Sequence, residues 1–289
     1  MKRYPFERHY LKLQCGHRMH YLDEGSGPIL LMLHGNPTWS FYYRNLVLGL
    51  RDQYRCIVPD HVGCGLSDKP ERWSYGIRDH TDNITDLLTT LDLRDATLVV
   101  HDWGGAIGYL AATRTPDRFR RFITFNTAVS LLPLPRILTM LRSRILGSLI
   151  IRGLNGMVRA GLLSSALHGH RFHRDVRAGY LAPYDSWAHR IALLRFVQEI
   201  PLEANHPNRT LLDDLVSRLE QFTLLPHLIV WGLKDPIFHR DYLAAWRRQF
   251  PGADVHALAD ASHWVVEEAH ERILPLVQEF LTRTDCFIT

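Results

Sequence analysis

The chain reads as an α/β domain: a mostly parallel central sheet with helices on both faces and one inserted helical cap. Three observations predict this. Short apolar runs alternate with helical patterns through residues 29–125 and again from residue 227 onward, the rhythm of strands joined by crossover helices. Between about Val129 and Asp214 that rhythm breaks, and long apolar stretches studded with arginine replace it. The length of 289 residues lies near the upper limit for one hydrophobic core and suits such a domain carrying an insertion. The expected division is a core of residues 1–128 and 215–289 and a cap of residues 129–214.

The elements follow in order. "RHYLKLQ" and "RMHYL", separated by "CGH", read as an opening hairpin. "ILLML" (29–33) follows a Gly-Pro turn and ends at His34-Gly35, as a buried central strand running into a functional loop would. "CIVPD" (56–60) is the next strand, with Pro59 confined to its end. In "DHTDNITDLLTTLDL", Ile84, Leu87, Leu88 and Leu91 recur at helical spacing and mark a core-facing helix. "ATLVV" (96–100) is a strand, "GGAIGYLAATR" a small-residue helix able to pack close to it, and "FITF" (122–125) the following strand. After the cap come the strand "HLIVWG" (227–232), a helix around Leu243 to Phe250, the strand "DVHAL" and a final helix that Pro275 starts or kinks.

Composition narrows the function classes. With 46% hydrophobic and 22% charged residues the chain is an ordinary globular one. Its net charge of +4 is mild and its arginines are spread out, which argues against a nucleic-acid partner. Cys15, Cys56, Cys64 and Cys286 lack paired metal-ligand spacing and fit buried, reduced thiols in a cytoplasm. The N-terminal "MKRYPFERHY" has no apolar stretch behind its basic residues, so a cytoplasmic location is expected. No metal cluster, glycine-rich phosphate loop or dinucleotide fingerprint occurs, so neither metal nor cofactor is expected.

The chemistry begins at "LVVHDWGGAIG" (98–108). A tight strand-to-helix turn that presents a nucleophile needs small residues beside it, which Gly104 and Gly105 supply. Asp102 stands where an esterase would hold serine, and Val100 replaces the usual first glycine. Alone, an Asp before a helix is more often a cap than a nucleophile. Two further sites lie past strand ends: "WGLKDPIF" places Asp235 after "HLIV", and "DASHW" places His263 after "DVHAL". Nucleophile, acid and histidine thus appear in the chain order of the α/β-hydrolase triad.

"LHGNPTWSFYYRNL" (33–46), "DHVGCGLSDKP" (60–70), "VVHDWGG" (99–105), "WGLKDPIF" and "ASHWVVEEA" (261–269) resemble the haloalkane dehalogenases of the α/β-hydrolase fold. The resemblance covers nearly the whole chain. It implies Asp102 as nucleophile, His263 as base and Asp235 as the acid that orients it. Asn36 and Trp103 would hold the departing halide by side-chain N–H groups and form the oxyanion hole with their backbone N–H groups. The implied reaction takes a small apolar halogenated substrate, forms an alkyl ester on Asp102, and releases alcohol and halide after water attack. Uncharged N–H donors in a dry pocket suit a leaving anion, and His263 suits deprotonation of water.

Where some dehalogenases take a triad acid after "FITF", this chain reads Asn126-Thr127-Ala128, which leaves Asp235 as the acid. Trp39 is expected to pack, and Trp187, the sole cap tryptophan, to be cap structure. "GCGLSDKP" and the cap stretch 179–202 also resemble the β-lactone decarboxylases of bacterial long-chain olefin synthesis, which share the Asp nucleophile. In that alternative the segment 131–163 could cover alkyl chains, touch a membrane surface or form a homo-oligomer contact, or simply pack on the core with solvated arginines. An epoxide hydrolase would need cap tyrosines as proton donors, for which Tyr180 and Tyr184 are candidates. A non-catalytic binding protein on this fold would have no need of all three triad residues.

Overall fold

A computed structural model describes residues 3–128, 132–133, 135–203 and 205–285. Cys286 and the expected start of the cap at Val129 lie outside the described residues. The opening hairpin is β1 (His9–Lys12) and β2 (Arg18–Glu24), with His9 opposite Tyr21 and Lys12 opposite Arg18. There follow β3 (Ile29–Leu33), α1 (Arg44–Leu50), β4 (Arg55–Pro59), α2 (Ile77–Thr90), β5 (Ala96–Val100), α3 (Trp103–Arg114) and β6 (Phe119–Phe125). Pro59 closes β4, where a missing N–H costs no further ladder bond. Ile84, Leu87 and Leu88 are buried on α2, while Leu91 lies just past its end and is only partly buried.

The cap supplies α4 (Arg136–Leu141), α5 (Arg144–Gly147), α6 (Gly156–Leu167), α7 (Arg174–Leu181), α8 (Ile191–Gln198) and α9 (Pro207–Arg218). Helix α5 continues as a wider π-helical turn to Gly153, and Asn155, in the left-handed region at φ 53°, turns the chain into α6. The core resumes with β7 (His227–Gly232), α10 (Arg240–Gln249), β8 (Asp254–Leu258), α11 (Val265–Glu268) and α12 (His270–Asp285). Of the two expectations for Pro275, starting α12 is excluded, because it sits inside the helix.

Eight strands form one sheet in the order β1-β2-β4-β3-β5-β6-β7-β8, parallel from β4 onward. Alternate side chains feed opposite cores. Leu30, Met32, Val99, Ile123 and Val230 face one apolar cluster, and Leu31, Leu33, Leu98, Val100 and Ile229 the other. Every residue of β5 is buried, as a central parallel strand covered by helices requires. The turn that carries Asp102 therefore hangs from a strand buried along its whole length.

The expected cap boundary at residue 214 falls inside α9. Leu212 and Leu215 of α9, with Leu219 and Phe222 beyond it, join the same apolar cluster as Ile107 and Leu110 of α3, so this helix packs on the core. The rest of the cap is tied down by buried polar bonds. Trp39 Nε1 donates to Gly179 O at 3.2 Å, Tyr184 Oη to Thr38 O at 3.1 Å, and Tyr180 Oη to Glu267 Oε2 at 2.6 Å. Arg44 forks onto the same Glu267 carboxylate. The cysteine expectation needs one correction: Cys56 and Cys64 are buried free thiols, but Cys15 is exposed on the turn after β1, where its Sγ lies 3.4 Å from Asn83 Oδ1.

Candidate active site

Asp102 closes the turn between β5 and α3 at φ 51° and ψ −128°, a conformation costly for a residue with a side chain. The surroundings hold it there. Asp102 N donates to Asn126 O at 2.9 Å, and Thr127 Oγ1 donates to Asp102 O at 2.5 Å. Helix α3 can start this close because a Cβ on Gly104 would collide with the Leu33 carbonyl, and one on Gly105 with Thr127. On the other side Gly35 lies so near that a Cβ there would land on the Asp102 carboxylate.

Asn36 N donates to Asp102 Oδ1 at 2.6 Å, and the Trp103 backbone N–H also donates to the carboxylate. The two backbone donors expected to form an oxyanion hole thus both bond the Asp102 carboxylate. Asp102 Oδ2 faces His263 Nε2 at 3.9 Å. Burial lifts the Asp102 carboxyl above its ordinary value, while His263 and the two N–H groups pull the other way.

His263 Nδ1 lies 2.9 Å from Asp235 Oδ2. Burial disfavours the charged imidazole, but the Asp235 carboxylate, and after it Asp102, outweigh burial and carry its pKa from 6.5 up to about 9. Asp235 is itself fixed: its Oδ1 accepts from Ile237 N at 2.7 Å and Phe238 N at 3.0 Å. Asn126 Nδ2 donates to Asp235 Oδ2 at 3.0 Å, and Asn126 also bonds the Gly232 backbone in both directions. The three residues expected to form a triad therefore come together, on the ends of β5, β7 and β8.

Asn126, Thr127 and His101 hold the site and were missed as such. Asn126 drew notice only for lacking a carboxylate, yet its position one residue past β6 puts its amide beside Asp235. His101 Nε2 donates to His263 O at 2.8 Å, and its ring lies 4.8 Å from that of His263. Burial, then the neighbouring His263, keeps His101 well below the usual histidine value, so it acts as a neutral prop.

Asn36 and Trp103 both line the cavity in front of Asp102. One Asn36 amide hydrogen goes to Leu193 O of α8 at 3.1 Å. Trp103 Nε1 has no hydrogen-bond partner among the described residues, and its ring packs at 5.6 Å on Phe196. Trp39 is fully buried and Trp187 is 46% exposed under the Arg152 guanidinium, so neither reaches the cavity. Tyr180 and Tyr184 are buried with their hydroxyls spent on Glu267 and Thr38 O, which removes them as proton donors to an epoxide.

Two apolar chambers meet here. The first runs from Asp102 past Ala106, Val197, Leu212 and Phe238. The second runs from His263 past Leu141, Ala160, Gly161 and Trp264. They share Asn36, Leu138, Met157 and Ile237. Among the described residues no cluster of His, Cys, Asp and Glu could hold a metal ion.

Comparison with known proteins agrees with this architecture. The chain is 42% identical to the cis-3-alkyl-4-alkyloxetan-2-one decarboxylase of Shewanella oneidensis, over 99% of this chain and 91% of that one. It is 31% identical to haloalkane dehalogenase 2 of Mycobacterium bovis, over 96% of this chain and 95% of that one. The haloalkane dehalogenase DatA of Agrobacterium tumefaciens superposes with a TM-score of 0.85 at 24% identity, over 96% of this chain and 97% of that one, a likeness of fold. Residues 28–270 match the α/β-hydrolase fold family, and with the eight-stranded sheet and the cap above its strand ends this chain belongs to that family.

Proposed function

We propose that the protein is a β-lactone decarboxylase acting on an oxetan-2-one that bears an alkyl chain on each of two adjacent ring carbons. The carrying observation is the pair of apolar chambers diverging from Asp102 and His263. A substrate with two alkyl arms fills both, whereas a small haloalkane needs one. The 42% identity to a decarboxylase against 31–35% to dehalogenases supports the same order, which reverses the one expected from sequence motifs.

In this reading a carboxylate oxygen of Asp102 attacks the ring carbon that carries the ring oxygen. The carbon–oxygen bond breaks, and its electron pair leaves on the released carboxylate. The bond from that carboxylate to the neighbouring carbon then breaks, its pair forms the alkene, and the ester bond returns its pair to Asp102. Carbon dioxide and alkene depart, and neither water nor a net proton is consumed. Inversion followed by anti elimination gives a cis alkene from a cis lactone. His263, charged below about pH 9, lies beside the forming carboxylate, and the N–H groups of Asn36 and Trp103 solvate it.

Carbon–halogen hydrolysis is the second reading, favoured by Trp103 Nε1 in the cavity wall, which is unpartnered among the described residues. It differs in needing His263 neutral, to take a proton from water. Esterification of Asp102 would remove one of the charges that raise the His263 pKa. Turnover in ¹⁸O-water separates the two. With a cis-dialkyl β-lactone the expected products are cis alkene and carbon dioxide, with no label in the Asp102 peptide. Halide release from a bromoalkane with ¹⁸O in Asp102, and no alkene from the lactone, would overturn the proposal in favour of dehalogenation.

A further inference from the structure

The outer face of the cap is apolar where a soluble surface would be polar. Of the eleven large apolar side chains exposed among the described residues, seven lie between Ile137 and Leu167: Ile137, Met140, Ile145, Leu149, Leu154, Leu163 and Leu167. Ile145 is 76% exposed and Leu167 75%. Their inward neighbours Leu138, Leu141, Ile151, Val158 and Leu162 are buried, so α4, α5 and α6 are apolar on both sides. A helix of that kind belongs in a core or against lipid, and a clustered exposed patch marks an interaction surface.

Charge identifies the partner. From Phe119 to Arg174 the sequence contains nine arginines and no aspartate or glutamate. Arg136, Arg144, Arg159, Arg171 and Arg174 are exposed and form no ion pair among the described residues. A second copy docking through this face would set arginine against arginine with no carboxylate to pair it. An anionic headgroup layer would neutralise the arginines while the leucines and isoleucines enter the acyl boundary.

We propose that α4 to α6 form a docking face for an anionic lipid surface. The mode is lying on the bilayer: no single described helix is long and apolar enough to cross, and the segments Arg144–Gly153 and Gly156–Leu167 are bent by 66° about Leu154 and Asn155. Leu138, Leu141, Met157 and Ala160 of the same helices line the second chamber, so a docked cap would set the alkyl-chain chamber next to the lipid.

The test is sedimentation of the full chain with vesicles of phosphatidylcholine alone or mixed with phosphatidylglycerol, at low and high salt, without substrate. Binding to the mixed vesicles that weakens with salt is expected. Arg144→Gln with Arg159→Gln should cost roughly fivefold in binding for each arginine removed, and Ile145→Glu with Leu149→Glu should abolish binding with an unchanged circular dichroism spectrum. Failure to bind either vesicle, or equal binding by both variants, overturns the proposal. So does a dimer that Ile145→Glu with Leu149→Glu turns into monomer while the wild type ignores vesicles. Because no substrate is present, the outcome is independent of the reaction proposed above.

Discussion

Asp102 and His263 set opposite limits on the chemistry. In the proposed decarboxylation, attack requires Asp102 ionised, against burial that raises its carboxyl, and stabilisation of the departing carboxylate requires His263 charged, with a pKa of about 9. For decarboxylation, kcat is therefore expected to fall as pH climbs past about 9, measured as alkene formed from a dialkyl lactone. Asn126 is a positioning residue for this pair, since it grips Asp235 and the Gly232 backbone together. Asn126→Ala should lower kcat about a hundredfold with little change in KM and move the alkaline limb to lower pH, because Asp235 would no longer be held against Nδ1. A limb left in place with kcat unchanged would show the amide to be mere packing.

At the scale of elements, Arg44 of α1 and Tyr180 of α7 meet on Glu267 of α11, joining core and cap through one buried carboxylate. Arg44→Met leaves that carboxylate without its cation and should cost about 3–5 kcal/mol of stability, read as a lower denaturant midpoint. The strands were legible because their signal is local. "ILLML", "ATLVV" and "HLIVWG" match β3, β5 and β7 residue for residue, each a continuous apolar run as a strand buried on both faces must be. The end of the cap was not legible. Helix α9 carries leucines at core spacing whether it packs on α8 or on α3, and only the surface that receives them decides which domain it joins.

For the whole molecule, the raised His263 pKa links stability to pH. Folding raises that pKa from 6.5 to about 9, so the folded chain holds the proton more tightly, and the contribution is full below pH 6.5 and lost as pH rises through about 9. His263→Gln should flatten the melting temperature between pH 6.5 and 9 relative to the wild type; identical profiles would refute the linkage. The sequence by itself determined the sheet, the inserted cap and the order Asp102, Asp235, His263, because strand periodicity and residues at strand ends are local properties of the chain. Tertiary structure alone decided that Asn126 braces Asp235, that Tyr180 and Tyr184 are spent holding the cap, and that two apolar chambers meet, one lined by Asp102 and the other by His263. Those facts depend on which surfaces meet across long stretches of chain, and spacing along a sequence carries no record of what an outward or inward face will touch.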